Sequence, residues 1–175
     1  DLENVRKSNS FVDPILEGED LIKKKKLIIE ERRILDKEKN DLVSILKGIK
    51  DGTLSSRGFR DKLSGGLIIS DVDPKLLDEL SKIEKDLAEA KSTFKPNSNF
   101  INNINQRYKT FKPVVIQNQL NAVNSTLELN ASKSNNLKKQ LDEVENNLQK
   151  NLSLIKSFEK IKADLILANQ NYLSL

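Results

Sequence analysis

Apolar residues along the chain fall into runs with a seven-residue rhythm, separated by two breaks. Leu21, Ile28, Leu35, Leu42 and Ile49 recur every seven residues, and Leu27 and Ile34 widen that stripe. A row of this kind predicts a long helix with one buried face, here over 14–50. Lys25, Arg32 and Lys39 occupy the other seam position, so one edge of this helix is charged. Leu76, Leu80, Ile83, Leu87, Ala90 and Phe94 alternate four and three apart, predicting a second helix over 74–94. The rhythm returns from Phe100 and predicts one very long return helix over 100–175, with Pro113 kinking or splitting it. Within it Leu137, Leu141, Val144, Leu148, Asn151, Ile155 and Phe158 keep the heptad spacing. Ile161, Leu165, Ala168, Tyr172 and Leu175 resume it after a register slip.

Helix starts are written twice in the same way. Val-Asp-Pro occurs at 12–14 and at 72–74. The aspartate can accept hydrogen bonds from unpaired N–H groups at a helix start, and proline at the first helical position needs no N–H. Residues 1–12 read as a polar lead-in. Residues 51–72 carry Gly52, Gly58, Gly65 and Gly66, which predicts an irregular, ordered loop, with LIISDV as a short extended piece. Residues 95–99, Lys-Pro-Asn-Ser-Asn, predict a tip turn. The expected fold class is all-α: an elongated antiparallel helical hairpin with coiled-coil packing, in one arm spanning 1–175. At about 1.5 Å per residue the return helix could lie against both earlier helices stacked end to end.

Composition narrows the chemistry. Of 175 residues, 37% are hydrophobic, 32% charged and 5% aromatic, which suits helices that bury one stripe each. The net charge of +4 comes from 30 basic and 26 acidic residues that interleave. The basic residues are too dispersed, and the stacking aromatics too few, for a nucleic-acid partner. Cys and His are both absent, so no thiolate or imidazole can act as nucleophile, base or metal ligand. Gly65-Gly66 lies in no phosphate-loop pattern, and the carboxylates interleave with lysine and leave no isolated acid pair. The expectation is a non-enzyme with no cofactor and no metal.

Met is also absent, including at position 1, so the chain reads as a segment of a longer protein. No apolar run approaches bilayer length. Three N-x-S/T sequons, at Asn124, Asn130 and Asn151, read as accidents of a composition rich in asparagine. Lys23–Lys26 reads first as a solvated helix face, since consecutive helical residues point in different directions, and second as a contact for anionic polymer or phospholipid. The Arg57-Gly58-Phe59-Arg60 stretch reads as a surface loop or as a partner-binding loop. Candidate partner or polymer contacts are therefore Lys25, Arg32, Lys39, Arg57, Phe59 and Arg60.

Three stretches carry a family resemblance. LENVRKSNSFVDPILEGEDL, through Arg6, Asn9, Asp13-Pro14 and Glu17-Gly18, resembles the opening of the helical arm of bacterial polysaccharide chain-length determinants, the Wzz-like polysaccharide co-polymerases. LSKIEKDLAEAKSTFKPNSNF resembles their arm tip, with Pro96-Asn97-Ser98-Asn99 standing where many relatives have His-Pro. FEKIKADLILANQNYLSL resembles the end of the return helix. The resemblance implies a bacterial inner-membrane parent with this segment in the periplasm and a membrane-proximal α/β base outside it. It implies a homo-oligomeric ring that sets the chain length of an O-antigen, capsule or exopolysaccharide. The implied partners are a membrane polysaccharide polymerase and the growing polysaccharide. The alternative from another class is a coiled-coil tether or adaptor hairpin of an export system or scaffold, with no polysaccharide role.

Overall fold

The computed structural model describes residues 13–174 and is all-α, with no strand among the described residues. Among the described residues four helices follow one another: α1 (Pro14–Asp51), α2 (Ser56–Ser64), α3 (Pro74–Thr93) and α4 (Asn99–Leu173). Both Val-Asp-Pro signals act as the sequence predicts. An Asp13 carboxylate oxygen accepts from the Ile15 N–H at 3.0 Å, and one of Asp73 accepts from the Lys75 N–H at 2.9 Å. At the other end of α1, Gly52 takes the left-handed conformation at φ 77° that a helix stop favours. Thr53 closes this stop by donating its hydroxyl and its backbone N–H to Asp51. These bonds hold the Asp51 carboxyl below the usual carboxylate range.

The chain divides into two compact units, Asp1–Ile34 with Ser134–Leu175 and Leu35–Lys133. The polar lead-in at 1–12 and the seam position Leu175 lie outside the described residues.

The unit Leu35–Lys133 holds the larger core. Leu42, Ile45 and Ile49 of α1 meet Phe59 of α2, Leu77 and Leu80 of α3, and Val115, Ala122 and Val123 of α4. A second cluster, Ile83, Ala90, Ile101 and Ile104, zips the α3–α4 hairpin toward its turn, where the Phe94 and Phe100 rings pair at 4.8 Å. The segment predicted as an irregular loop contains α2. Ser55 caps it by accepting from the Gly58 N–H at 3.1 Å, and Phe59 anchors it with no exposed surface. LIISDV forms no strand. Side chains of α4 hold it in place: Ser70 N–H donates to Thr126 Oγ1, and just past the segment Asp73 N–H donates to Asn118 Oδ1. Pro113 does not split α4. It removes one hydrogen bond, to the Lys109 carbonyl, and buried Val115 lies just past it.

In the other unit, α1 and α4 pair antiparallel around Ile28, Val144, Gly18 and Asn151, all buried. The predicted rows at Leu21 and Ile28, and at Leu137–Ile155, form this seam. Leu27 and Ile34 do not widen it. They are 66% and 45% exposed, because about 100° per residue carries both to a flank.

Candidate functional site

The six candidate contact residues separate into distinct roles. Lys25 is half-buried on the seam of α1 and its Nζ lies 3.3 Å from Glu145 of α4. Arg32, one heptad on, is half-buried with its Nε shielded from solvent and without a hydrogen-bond acceptor. Lys39 is exposed. In α2, Arg57 is exposed, whereas Arg60 donates to Asp78 at 2.6 Å and so ties α2 to α3. Phe59 is a correction: it lies at the centre of the core and offers no surface to a partner. Lys39 and Arg57 therefore remain as cations directed to solvent. Lys23, Lys24 and Lys26 are exposed while Lys25 is not, so the four lysines form no single patch.

Two buried asparagines line the helix pairings; the heptad spacing marks Asn151 and passes over Asn130. Asn151 donates Nδ2–H to the Pro14 carbonyl at 2.7 Å, and Asn130 donates likewise to the Leu35 carbonyl at 3.0 Å. Both nitrogens of these sequons are thus committed inside the protein, and only Asn124 is exposed. The first bond needs close approach. A Cβ on Gly18 would stand 2.6 Å from Asn151 Oδ1, so glycine at this seam position is what lets the amide in. The glycine carried a signal in the sequence, as the unexplained small residue of the Glu17-Gly18 pair. Its reason lies on another helix.

Beyond Asn151, α4 is exposed on almost every side. Ile161, Leu165 and Tyr172, which the sequence places on a resumed seam, are 66%, 62% and 81% exposed. Where α1 begins, Asp13 just before it, Pro14 and Ile15 of α1, and Ile155, Phe158, Glu159 and Lys162 of α4 line an apolar groove. Among the described residues, no group of three or more acidic, histidine or cysteine side chains is placed to hold a metal ion. No described helix is long and apolar enough to cross a membrane. No protein-family model, curated protein or solved structure matches the chain.

Proposed function

We propose that this chain is a non-catalytic helical scaffold, the periplasmic portion of an inner-membrane protein that regulates the chain length of a surface polysaccharide. The observation that carries this reading is the antiparallel pairing of α1 with α4 and of α3 with α4, with starts at Asp13-Pro14 and Asp73-Pro74 and a turn at Pro96. Of these, Asp13-Pro14 and the turn at Pro96 are positions at which the chain resembles chain-length determinants. In this reading the parent is a homo-oligomer whose neighbouring copies meet through these helices. It works beside a membrane polymerase and its growing polysaccharide, and it anchors through segments outside 1–175.

The test introduces Lys39→Glu and Arg57→Glu into the parent protein in its host and resolves the surface polysaccharide by gel. Both side chains are exposed, so the fold should tolerate the change. The expected result is a shifted length distribution with synthesis retained, since polymerisation belongs to a separate protein. Deletion of the parent should abolish length control. A distribution untouched by deletion would reject the reading in favour of a tether or adaptor.

A further inference from the structure

Acidic residues are missing from one continuous stretch of the chain. From Ala90 to Leu127 there are five basic residues, Lys91, Lys95, Arg107, Lys109 and Lys112, and none of the 26 acidic ones. The turn between α3 and α4 lies inside this stretch. Two of the cations are engaged within the fold: Arg107 lies 3.6 Å from Glu79, and Lys112 sits over the Tyr108 ring. Glu89, the acid nearest the turn in sequence, reaches back to Lys85 at 4.0 Å. Lys91 and Lys95 form no ion pair among the described residues. The same turn carries an aromatic pair. The Phe94 and Phe100 rings lie 4.8 Å apart, yet the two residues remain 46% and 53% exposed. Every residue from Lys91 to Asn97 is exposed, as is Asn99, so the rings stand on a convex tip and not in a groove. The backbone of the turn bonds to itself. Ser98 N–H donates to the Lys95 carbonyl and Asn102 N–H to the Ser98 carbonyl, both at 3.0 Å, and Ile101 N–H donates to Ser98 Oγ at 3.2 Å. Pro96 has no N–H to satisfy.

We infer that the α3–α4 turn is a docking tip for an anionic phospholipid surface, with the Phe94–Phe100 pair entering the headgroup layer and Lys91 and Lys95 resting on its phosphates. Such a contact lies beyond the proposed function and does not depend on it. Charge and shape together select this occupant. Each exposed cation gains about fivefold in affinity at an anionic bilayer, and the acid-free stretch offers no charge that the bilayer would repel. Rings on a convex tip need a partner that yields around them. Lipid headgroups part, whereas a folded acidic protein would have to present a matching hollow. Apolar side chains buried at the interface beside cations are the usual source of peripheral membrane binding. Lysine stems lie along the apolar layer while their ammonium groups stay at the phosphates. A turn whose backbone is bonded internally gives up few hydrogen bonds to water on entering that layer. No described helix is long and apolar enough to cross a bilayer, and the contact inferred is at its surface.

The 175-residue chain should co-sediment with vesicles of equal parts phosphatidylglycerol and phosphatidylcholine, and at least tenfold more weakly with phosphatidylcholine alone. Lys91→Gln with Lys95→Gln should weaken binding at least tenfold at unchanged helicity, because both side chains are exposed. The chain has no tryptophan, so Phe100→Trp places a single reporter at the tip. Its emission should move to shorter wavelength when the anionic vesicles are added, and brominated lipid should quench it. Leu27→Trp, exposed on α1, should show neither effect. Absence of co-sedimentation overturns the inference, as does equal binding to both kinds of vesicle or a lysine variant that binds like the wild type. Co-sedimentation with an unchanged reporter at position 100, or with the same change at positions 27 and 100, assigns the contact to another surface and overturns it too. If soluble polyglutamate shifts the reporter at position 100 and vesicles do not, the tip takes an acidic protein segment and the lipid assignment fails. The polysaccharide gel judges the proposed function separately.

Discussion

Gly18 and Asn151 set two opposed energies against each other. Alanine at a helix-interior glycine gains about 1 kcal/mol of helix propensity. Here the added Cβ would meet Asn151 Oδ1 at 2.6 Å and displace an amide that bonds the Pro14 carbonyl. Leaving a buried amide unsatisfied costs about 1–3 kcal/mol. The penalty exceeds the gain, so Gly18→Ala is expected to lower stability by about 1 kcal/mol. Asn151→Ala removes the obstacle, and Gly18→Ala in that background should be stabilising. The Pro14 carbonyl is not orphaned there, since it lies at the start of α1 where the helix supplies its own donor. A double-mutant cycle read by thermal unfolding checks the reversal of sign. Periodicity alone placed Asn151 on the seam, where a polar residue can fix register. It could not show that Gly18 is the notch that receives it, because the two residues are adjacent only after folding.

At the scale of elements, the long helices were legible and the short one was not. The rows of α1 and α3 repeat often enough to be read, and their ends are punctuated by Asp-Pro and Gly. The α2 helix has 9 residues, too few for a periodic signal, and it sits among four glycines. Its formation depends on the Ser55 cap and on Phe59 entering a core assembled by three other helices. The same contacts explain why LIISDV looks like a strand. Ile69 is buried and Ile68 is 85% exposed, an alternation that arises as the chain crosses α4 without any strand to pair with. Leu77 was likewise missed beside Leu76, because α3 packs on both α2 and α4 and buries a wider face than a two-helix seam requires. Phe59→Ala should cost about 3–5 kcal/mol, the usual range for a fully buried phenylalanine. Arg57→Ala, two residues away and exposed, should stay within about 0.5 kcal/mol. Denaturant unfolding of the two variants separates the core role from the surface role.

At the scale of the whole molecule, stability is distributed unequally between the two units. The unit Leu35–Lys133 has a multi-helix core. The other unit relies on one seam, in which Val144 and Ile28 are the buried apolar residues. Leu80, fully buried, and Leu141, half-buried, test the difference. A carboxylate at position 80 must be desolvated or protonated, and it also leaves a cavity. Leu80→Asp should therefore prevent cooperative unfolding of its unit or lower its stability by more than about 4 kcal/mol. Leu141→Asp should cost roughly half as much, because its carboxylate can reach water at the edge of the seam. Hydrogen exchange resolved by residue would assign each loss to its unit.

The amides on the seams also bear on mechanical load. A pair of heptad helices joined by apolar knobs alone can creep under tension, because each slip of seven residues, about 10 Å, re-creates equivalent packing. Such a slip in the unit that pairs Pro14 with Asn151 would bring the amide against Leu21 or Lys25 instead of the Gly18 notch. The corresponding slip in the other unit would pull Asn130 off the Leu35 carbonyl. Each unit would strand a buried donor before any new register formed. Pulled along its axis, each pairing should hold its length and then rupture in one step, behaving as a latch and not as a sliding bearing.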